Sequence, residues 1–380
     1  MTQDKQHNRP NVPPLRFPEF SGEWEKHLTT DFFEFKNGLN PDVKRFGSGT
    51  KFISVMDILN NRYITYDKII SSVEAKDDDL RDFGVNYGDI LFQRSSETLE
   101  DVGRANVYLD EKPALFGGFV IRGKRIGDYN PLFFRYLLSS PSVRKRIIVK
   151  GAGAQHFNIG QDGLSKVSLF VPSAKEQDRI AQLLNAIDKR IEVQSGLIEK
   201  LESLISGIIE RITAQSPNVR IADCLDCHSS TLQENQLNEA GGYRVYGANG
   251  ICGYTDNPGI NCDAILIVKD GSGVGNVSYA MGEYSVIGTS NYLTAKNGYS
   301  LRYLYFSLKK FNFAPYKTGM AIPHIYFKDY GKAKIYCPSL EEQERIANNL
   351  SKIERKIEIE RSIKDCCIVQ KQYLLQQMFI

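Results

Sequence analysis

No apolar run in this sequence approaches the ~20 residues that span a bilayer as a helix, and its first ten residues, MTQDKQHNRP, lack the apolar stretch of a secretory leader. Both absences point to a cytoplasmic chain with no membrane partner. Cysteine is sparse, seven residues scattered and odd in number, so reduced thiols are expected rather than a disulfide framework. One run, Cys224-Leu-Asp-Cys227-His228, has the spacing of a haem-attachment motif. No second C-x-x-C completes a zinc site, and reduced thiols near a strand or turn are the plain reading. There is no G-x-x-x-x-G-K-[ST] phosphate loop and no Asn-Pro-Pro-aromatic run. Excess charge is also missing: 48 basic against 45 acidic residues give +3, a sum that does not announce nucleic acid but can hide local segregation. What is present is ordinary globular material, 42% apolar and 24% charged over 380 residues, which excludes wholesale disorder and suffices for two or three domains.

The sequence repeats itself. Pro172, Ser173, Glu176, Gln177, Arg179, Ile180 and Ala181 recur as Pro338, Ser339, Glu342, Gln343, Arg345, Ile346 and Ala347, at a constant offset of 166. The register continues through Leu184/Leu350, Ile187/Ile353, Ile191/Ile357 and Glu192/Glu358. In each copy a proline ends a β-like run, the serine supplies an N-cap oxygen, and a glutamate three residues on predicts a capping box. The first helix carries a heptad seam: Ile180, Leu184, Ile187, Ile191, Gln194, Ile198, Leu201, Ile205, Ile208 and Ile212. Its length is about 35 residues, roughly 50 Å. The second seam runs through Ile346, Leu350, Ile353 and Ile357 and then drifts, with Glu360 where the first copy has Gln194. Such helices need partners. Antiparallel pairing with each other is expected, although the seam alone leaves partner chains open.

The segments ahead of the helices share a plan of short alternating strands separated by Gly and Asn turns, with Gly88–Phe92 matching Asp263–Ile267. A helical stretch follows, with Arg135-Tyr136-Leu137 and Arg302-Tyr303-Leu304 at similar points. Then comes a glycine with a histidine five residues on, Gly151 to His156 and Gly319 to His324. The fold class expected is α+β: two similar mixed α/β modules separated by two long helices that form an antiparallel coiled coil, by internal duplication. The boundaries are a tail over 1–20, modules over 21–172 and 216–338, and helices over 173–215 and 339–380. Charge segregates within the modules. Arg122 to Lys150 holds eight basic residues (Arg122, Lys124, Arg125, Arg135, Arg144, Lys145, Arg146, Lys150) against Asp128. Lys296 to Lys334 holds eight more (Lys296, Arg302, Lys309, Lys310, Lys317, Lys328, Lys332, Lys334) against Asp329. Two basic patches at matching places suggest a two-site polyanion binder. The turn Asp270-Gly-Ser-Gly-Val-Gly275 reads as a tight turn rather than a phosphate cradle. Asp89 with Asp110 and Lys112 loosely mimics a metal-nuclease pattern, a match common in any charged chain.

The order module, long helix, module, long helix, with Pro-Ser-x-x-Glu-Gln-x-Arg-Ile-Ala opening each helix, resembles the specificity subunit of type I restriction–modification systems. Leu15-Arg-Phe-Pro-Glu-Phe20 with Trp24, Tyr246-Gly-Ala-Asn-Gly250, and Asp270-Gly271 with Gly275-Asn276 add to the likeness. The resemblance implies two target recognition domains, each reading half of a split, asymmetric site on double-stranded DNA. The helices would be spacer and docking surface for two modification subunits carrying S-adenosylmethionine, which methylate adenine N6. A restriction subunit with a translocase motor would join them, and the chain itself would hold no cofactor or metal and catalyse nothing. A rod of that length suits half-sites about one DNA turn, ~34–36 Å, apart. By position and chemistry the candidate DNA-reading residues are Lys51, Arg94, Ser95, Arg104, Gln155 and Asn158 in the first module. In the second they are Tyr246, Asn249, Lys269, Ser272, Asn291, Lys317 and His324. The competing readings are a coiled-coil adaptor that binds only proteins, and a nuclease using Asp89, Asp110 and Lys112.

Overall fold

The structure, a computed structural model, describes residues 11–153 and 156–380. Four helices organise it: α1 (Pro131–Ser139), α2 (Ala174–Thr213), α3 (Leu301–Lys309) and α4 (Leu340–Gln377). The chain divides into two compact units. Unit 1 holds the residues up to Gln194 together with Ile363–Ile380, and unit 2 holds Ser195–Ser362. Each unit therefore takes a share of α2 and a share of α4.

Unit 1 is built on a four-stranded antiparallel sheet in the order Phe33–Asn37, Val120–Arg125, Ile90–Gln93, Ala105–Val107. Its central strand Ile90–Gln93 is buried throughout, as an apolar run covered on both faces must be. A three-stranded mixed sheet lies beside it, with Phe46–Ile53 antiparallel to Ser72–Val73 and parallel to Leu115–Phe116. Unit 2 has the same plan. Leu225–Ser229, Ser290–Ala295, Ala264–Val268 and Val277–Ala280 form the antiparallel sheet. Tyr243–Gly247 pairs antiparallel with Gly250–Thr255 and parallel with Ser285–Val286. The duplication read from the helix openings thus extends through the modules, where sequence identity has faded but strand order has not.

Within each unit one half of α2 packs on one half of α4, in opposite senses. In unit 1 the early residues Ile180, Leu184 and Ile187, with Ile191 at the edge, share a core with Cys367, Leu374, Met378 and Phe379. In unit 2 the late residues Ile198, Ile205 and Ile209, with Leu201, share a core with Leu350 and Ile357 and with Ile346 and Ile353. Early α2 meets late α4 and late α2 meets early α4, so the pairing is antiparallel and lies within the chain. Helix α2 has 40 residues, within the expected 173–215 and longer than the estimate of about 35. The second seam does not drift. Glu360, Lys364, Cys367, Lys371, Leu374 and Met378 continue its alternation of three and four, and Glu360, Cys367, Leu374 and Met378 are buried. Lysines at seam positions hid this regularity. Buried Glu360 is held by Lys356 one turn earlier.

The capping boxes are not formed as expected. The Glu176 carboxylate accepts from Arg16 Nε and Nη2, both at 2.7 Å, and from Trp24 Nε1 at 3.3 Å. In the second copy Glu342 N does donate to Ser339 Oγ at 3.4 Å, but the Glu342 carboxylate accepts from Arg345. The repeated glutamine is what both helices use alike. Gln177 Nε2 donates to the Pro172 carbonyl (3.0 Å) while its Oε1 accepts from Asn130 N (3.0 Å) at the start of α1. Gln343 Nε2 donates to the Pro338 carbonyl (2.8 Å) and its Oε1 accepts from Ser300 N (3.0 Å) at the start of α3. Both glutamines are buried. Each ties the module helix to the opening of the long helix, which accounts for a glutamine five residues after a proline in both copies. Gln343→Leu strands a buried donor and acceptor, and a loss of about 1–3 kcal/mol is expected in the denaturant midpoint of unit 2. An unchanged midpoint would refute the tie.

Among the described residues no helix is long and apolar enough to cross a membrane.

Candidate nucleic-acid interface

The two units converge on one local construction. In unit 1 the buried strand Ile90–Gln93 leaves the sheet and Ser95–Ser96 pairs antiparallel with Phe157–Asn158. Ile159 N donates to the Arg94 carbonyl (3.0 Å), Gly103 N to that of Gln93 (2.9 Å), and Ala152 and Asn158 exchange backbone bonds of 2.9 and 2.8 Å. In unit 2 the strand Ala264–Val268 leaves the sheet and Asp270 bridges antiparallel to His324. Ile325 N donates to the Lys269 carbonyl (2.9 Å), Gly275 N to that of Val268 (2.9 Å), and Thr318 and His324 exchange bonds of 2.9 and 2.8 Å. The pattern makes Arg94 equivalent to Lys269, Ser95 to Asp270, and Asn158 to His324. Gly103 and Gly275 close the loops at φ +68° and +89°, a conformation that a side chain would strain.

The structure thus brings Arg94, Ser95 and Asn158 together in unit 1, with Ser95 Oγ bonded to Asn158 Oδ1. In unit 2 it brings Lys269, Ser272, Lys317 and His324 together, since Gly271 N donates to the Pro323 carbonyl at 3.0 Å. The histidine match is corrected: at the helix offset His324 aligns with Asn158, and His156 aligns with Ile322. Counting from Gly151 misplaced it, because the glycines that share the turn are Gly153 and Gly319, both at positive φ. Arg104 is exposed and paired with Asp101 (2.6 Å). Lys51 lies on Phe46–Ile53, in the mixed sheet, and Tyr246 on the corresponding strand of unit 2, edge-on to Tyr284 at 5.6 Å. Asn249 sits exposed in the turn after Tyr243–Gly247. Asn291 is only 5% exposed and accepts from Ser229 Oγ at 2.9 Å, so it belongs to the sheet interior. Gln155 lies outside the described residues.

Part of each basic patch is spent within its own unit. In unit 1 Arg135 Nη1 (3.3 Å), Lys371 Nζ (2.6 Å) and Tyr136 OH (2.8 Å) converge on the Asp188 carboxylate. In unit 2 Arg302 Nη2 (2.5 Å), Lys309 Nζ (3.1 Å) and Tyr305 OH (3.2 Å) converge on Glu354. Asp188 and Glu354 are again 166 residues apart. Burial alone would lower Lys309, but Tyr305 and Glu354 hold it above its ordinary value. Arg144 is spent on the carbonyls of Gly103, Glu100 and Val102, and burial pushes it down to about 10. Arg122 is buried on Gly84 O and Asp89, and Arg146 lies over Phe170. Lys310 pairs with Glu210 at 3.2 Å. Several arginines read as a polyanion footprint therefore fasten each module helix to its long helix or loop. For Arg135 and Arg302 the signal was in the sequence: the acids they meet, Asp188 and Glu354, obey the repeat offset. Among the described residues Lys145, Lys150, Lys317, Lys328, Lys332 and Lys334 meet no carboxylate within 4.0 Å.

The nuclease trio is not assembled. Asp89 is buried, accepts from Asn86 N (2.9 Å) and Arg125 N (2.8 Å), and burial raises its carboxyl above the ordinary range. Asp110 caps Tyr66 N and Lys112 N, and Lys112 lies over the Tyr66 ring. Cys224 is buried, whereas Cys227 and His228 follow it on the strand Leu225–Ser229, with His228 stacked on Tyr292 at 4.8 Å.

The family model described as type I restriction modification DNA specificity domain matches this chain twice, over residues 21–203 and 218–365. The chain is 26% identical over 183 residues to the type I restriction enzyme EcoKI specificity subunit of Escherichia coli (strain K12), which covers 47% of this chain and 37% of that protein. It is 24% identical over 208 residues to the putative type I restriction enzyme MjaX specificity subunit of Methanocaldococcus jannaschii, covering 53% and 48%. Both matches span less than half of the relative's length. Among solved structures, the type I restriction-modification system S subunit from M. genitalium superposes with a TM-score of 0.69 at 18% identity, over 97% of this chain and 99% of that one. A chain from a study of complex assembly and conformational transition of the type I R-M system gives 0.54 at 13% identity, over 95% and 98%. These likenesses share the fold.

Proposed function

The chain belongs to the family of type I restriction–modification DNA specificity domains, of which it carries two copies, and from that premise we propose that it is the sequence-reading subunit of a type I restriction–modification complex. Each unit reads one half of a bipartite, asymmetric site on double-stranded DNA. One observation carries this reading: both units build the same strand-to-turn platform, with a basic residue at the same place and different neighbours around it. Arg94 stands with Ser95 and Asn158, whereas Lys269 stands with Asp270 and His324. A common scaffold with divergent hydrogen-bonding groups suits two different base sequences, because base edges are told apart by donor and acceptor patterns, while lysines on phosphates add salt-dependent affinity.

The paired helices act as docking surface for two modification subunits, which supply S-adenosylmethionine and methylate adenine N6, and a restriction subunit with a translocase joins them. The chain contributes no catalytic group and no cofactor, and it works in the cytoplasm. The adaptor reading is the weaker one, since the seams that would recruit a partner helix are filled within the chain. Methylation mapping in cells expressing this chain with its modification subunit tests the proposal. A split motif with a fixed gap is expected, and methylation without such a motif would defeat it. On that site Lys317→Gln is expected to weaken binding equally across sequences and to lower the slope of log affinity against log salt by about 1. Loss of sequence preference instead would make Lys317 a base reader.

A further inference from the structure

The platform of unit 2 projects a feature that phosphate and base-edge contacts leave unused. Thr318 and His324 exchange two backbone bonds, and between them the chain turns through Gly319 at φ +87°, where an added Cβ would stand 2.4 Å from the Ile322 carbonyl. The turn is therefore a tight hairpin. It is anchored at its base by Gly271 N on the Pro323 carbonyl and by Ile325 N on the Lys269 carbonyl. Its tip carries two large apolar side chains two residues apart, Met320, fully exposed, and Ile322, 67% exposed. Apolar side chains held out in water on a braced hairpin cost solvation and return nothing to the fold.

The surroundings are cationic and aromatic. Lys317 enters the hairpin. Beyond it His324 stands edge-on to Tyr326 at 5.1 Å, and Lys328 Nζ lies over the Tyr326 ring at 5.1 Å. Among the described residues Lys269, Lys317 and Lys328 meet no carboxylate within 4.0 Å. The nearest acids along the chain are Asp270 and Asp329. An apolar point flanked by free lysines complements a duplex, whose phosphates bracket an apolar stack of bases. The corresponding platform of unit 1 also bears an exposed apolar ring: Phe119, 69% exposed, whose carbonyl accepts Arg94 N at 2.9 Å.

Building on the proposed function, we infer that Met320 and Ile322 form an apolar wedge that enters the base stack of the bound duplex and unstacks one step. Wedges of this composition trade the cost of unstacking for a bent duplex that meets more protein surface. The step opened is expected to be pyrimidine–purine, the kind most easily kinked. The hairpin thereby selects sequence through deformability at a position where no base edge is read.

The test uses the full-length chain in complex with its modification subunits and duplexes carrying the mapped split motif, with 2-aminopurine placed in turn along both half-sites, leaving out the methylated adenines and their immediate neighbours, which the modification subunits unstack themselves. Unmodified protein is expected to raise the fluorescence at one step. The double variant Met320→Ala, Ile322→Ala is expected to abolish that rise and to weaken binding about tenfold. Both side chains are exposed, so the variant keeps the fold, and circular dichroism checks this. Lys317→Gln is expected to lower affinity while leaving the fluorescence of the saturated complex unchanged. Binding without a rise at any position, or a rise that survives the double variant, overturns the wedge and leaves the proposed function standing. If the unmodified complex fails to bind the motif at all, both readings fall. If the double variant instead sheds the modification subunits with DNA affinity of the chain intact, the tip is a protein contact and the wedge is wrong.

Discussion

Glu176→Ala is expected to cost unit 1 about 3–5 kcal/mol, the penalty for removing one partner of a buried ion pair, whereas Glu342→Ala, its partner in the repeat, is expected to leave unit 2 unchanged. The two glutamates share a motif and differ in surroundings. Glu176 is 1% exposed and takes both the Arg16 fork and the Trp24 indole N–H. Its loss strands a guanidinium that retains only the carbonyls of Gly22 and Ser21, and it unpairs a buried N–H on Trp24. Glu342 faces solvent and meets Arg345 one turn along the same helix. Glu176→Gln keeps an acceptor for one donor and loses the charge, so an intermediate loss is expected. Differential scanning calorimetry resolves the units, and a fall on the order of 10 °C in the first transition corresponds to the alanine variant. Equal effects of the two alanine substitutions would show that Glu176 is an ordinary first-turn acid.

That contrast marks what was legible in the sequence. The register of the repeat, the α+β class and both long helices follow from local pattern: apolar spacing of three and four, a proline before each helix, and buried strands written as apolar runs such as Ile90–Phe92 and Ile265–Ile267. Pattern fails where a side chain's partner is remote. Arg16 and Trp24 stand 160 and 152 residues from Glu176, and nothing in the motif reports them. The same holds for Arg135 and Arg302, which read as parts of basic patches although their partners are Asp188 and Glu354. The late seam of α4 was lost for a related reason, since Lys371 at a seam position is tolerable only because Asp188 receives its ammonium. In the candidate interface, equivalence was legible at the level of a Gly turn before a polar residue. The true register, Asn158 with His324, needed the backbone bonds of the platform. Asn291 showed the opposite failure: an asparagine beside a turn reads as exposed, yet it sits on a central strand and serves Ser229.

Truncation at Tyr373 is expected to unfold unit 1 while unit 2 stays folded, although the seven residues removed lie at the far end of the chain from most of unit 1. Leu374, Met378 and Phe379 are buried in the unit 1 core. Phe379 stands edge-on to Trp24 at 6.2 Å and tilted against Phe133 at 5.6 Å, and Leu15 N donates to the Gln377 carbonyl at 2.9 Å. Burial of each such side chain contributes about 1.5–3 kcal/mol, so the three together contribute roughly 5–9 kcal/mol, before counting the cavity left against Trp24 and Phe133. That is comparable with the whole stability of a domain, about 5–15 kcal/mol. Unit 2 draws its part of α4 from Ile346, Leu350, Ile353 and Ile357, all retained. Hydrogen exchange on the truncated chain is therefore expected to show lost protection in the strands Ile90–Gln93 and Val120–Arg125 and retained protection in Ala264–Val268 and Ser290–Ala295. Tyr373→Ala, on an exposed position of the same helix turn, is the matched control and is expected to change neither. Protection that survives truncation in unit 1 would mean that its core closes without the end of α4, and the division of the chain into units that each borrow part of both helices would have to be redrawn.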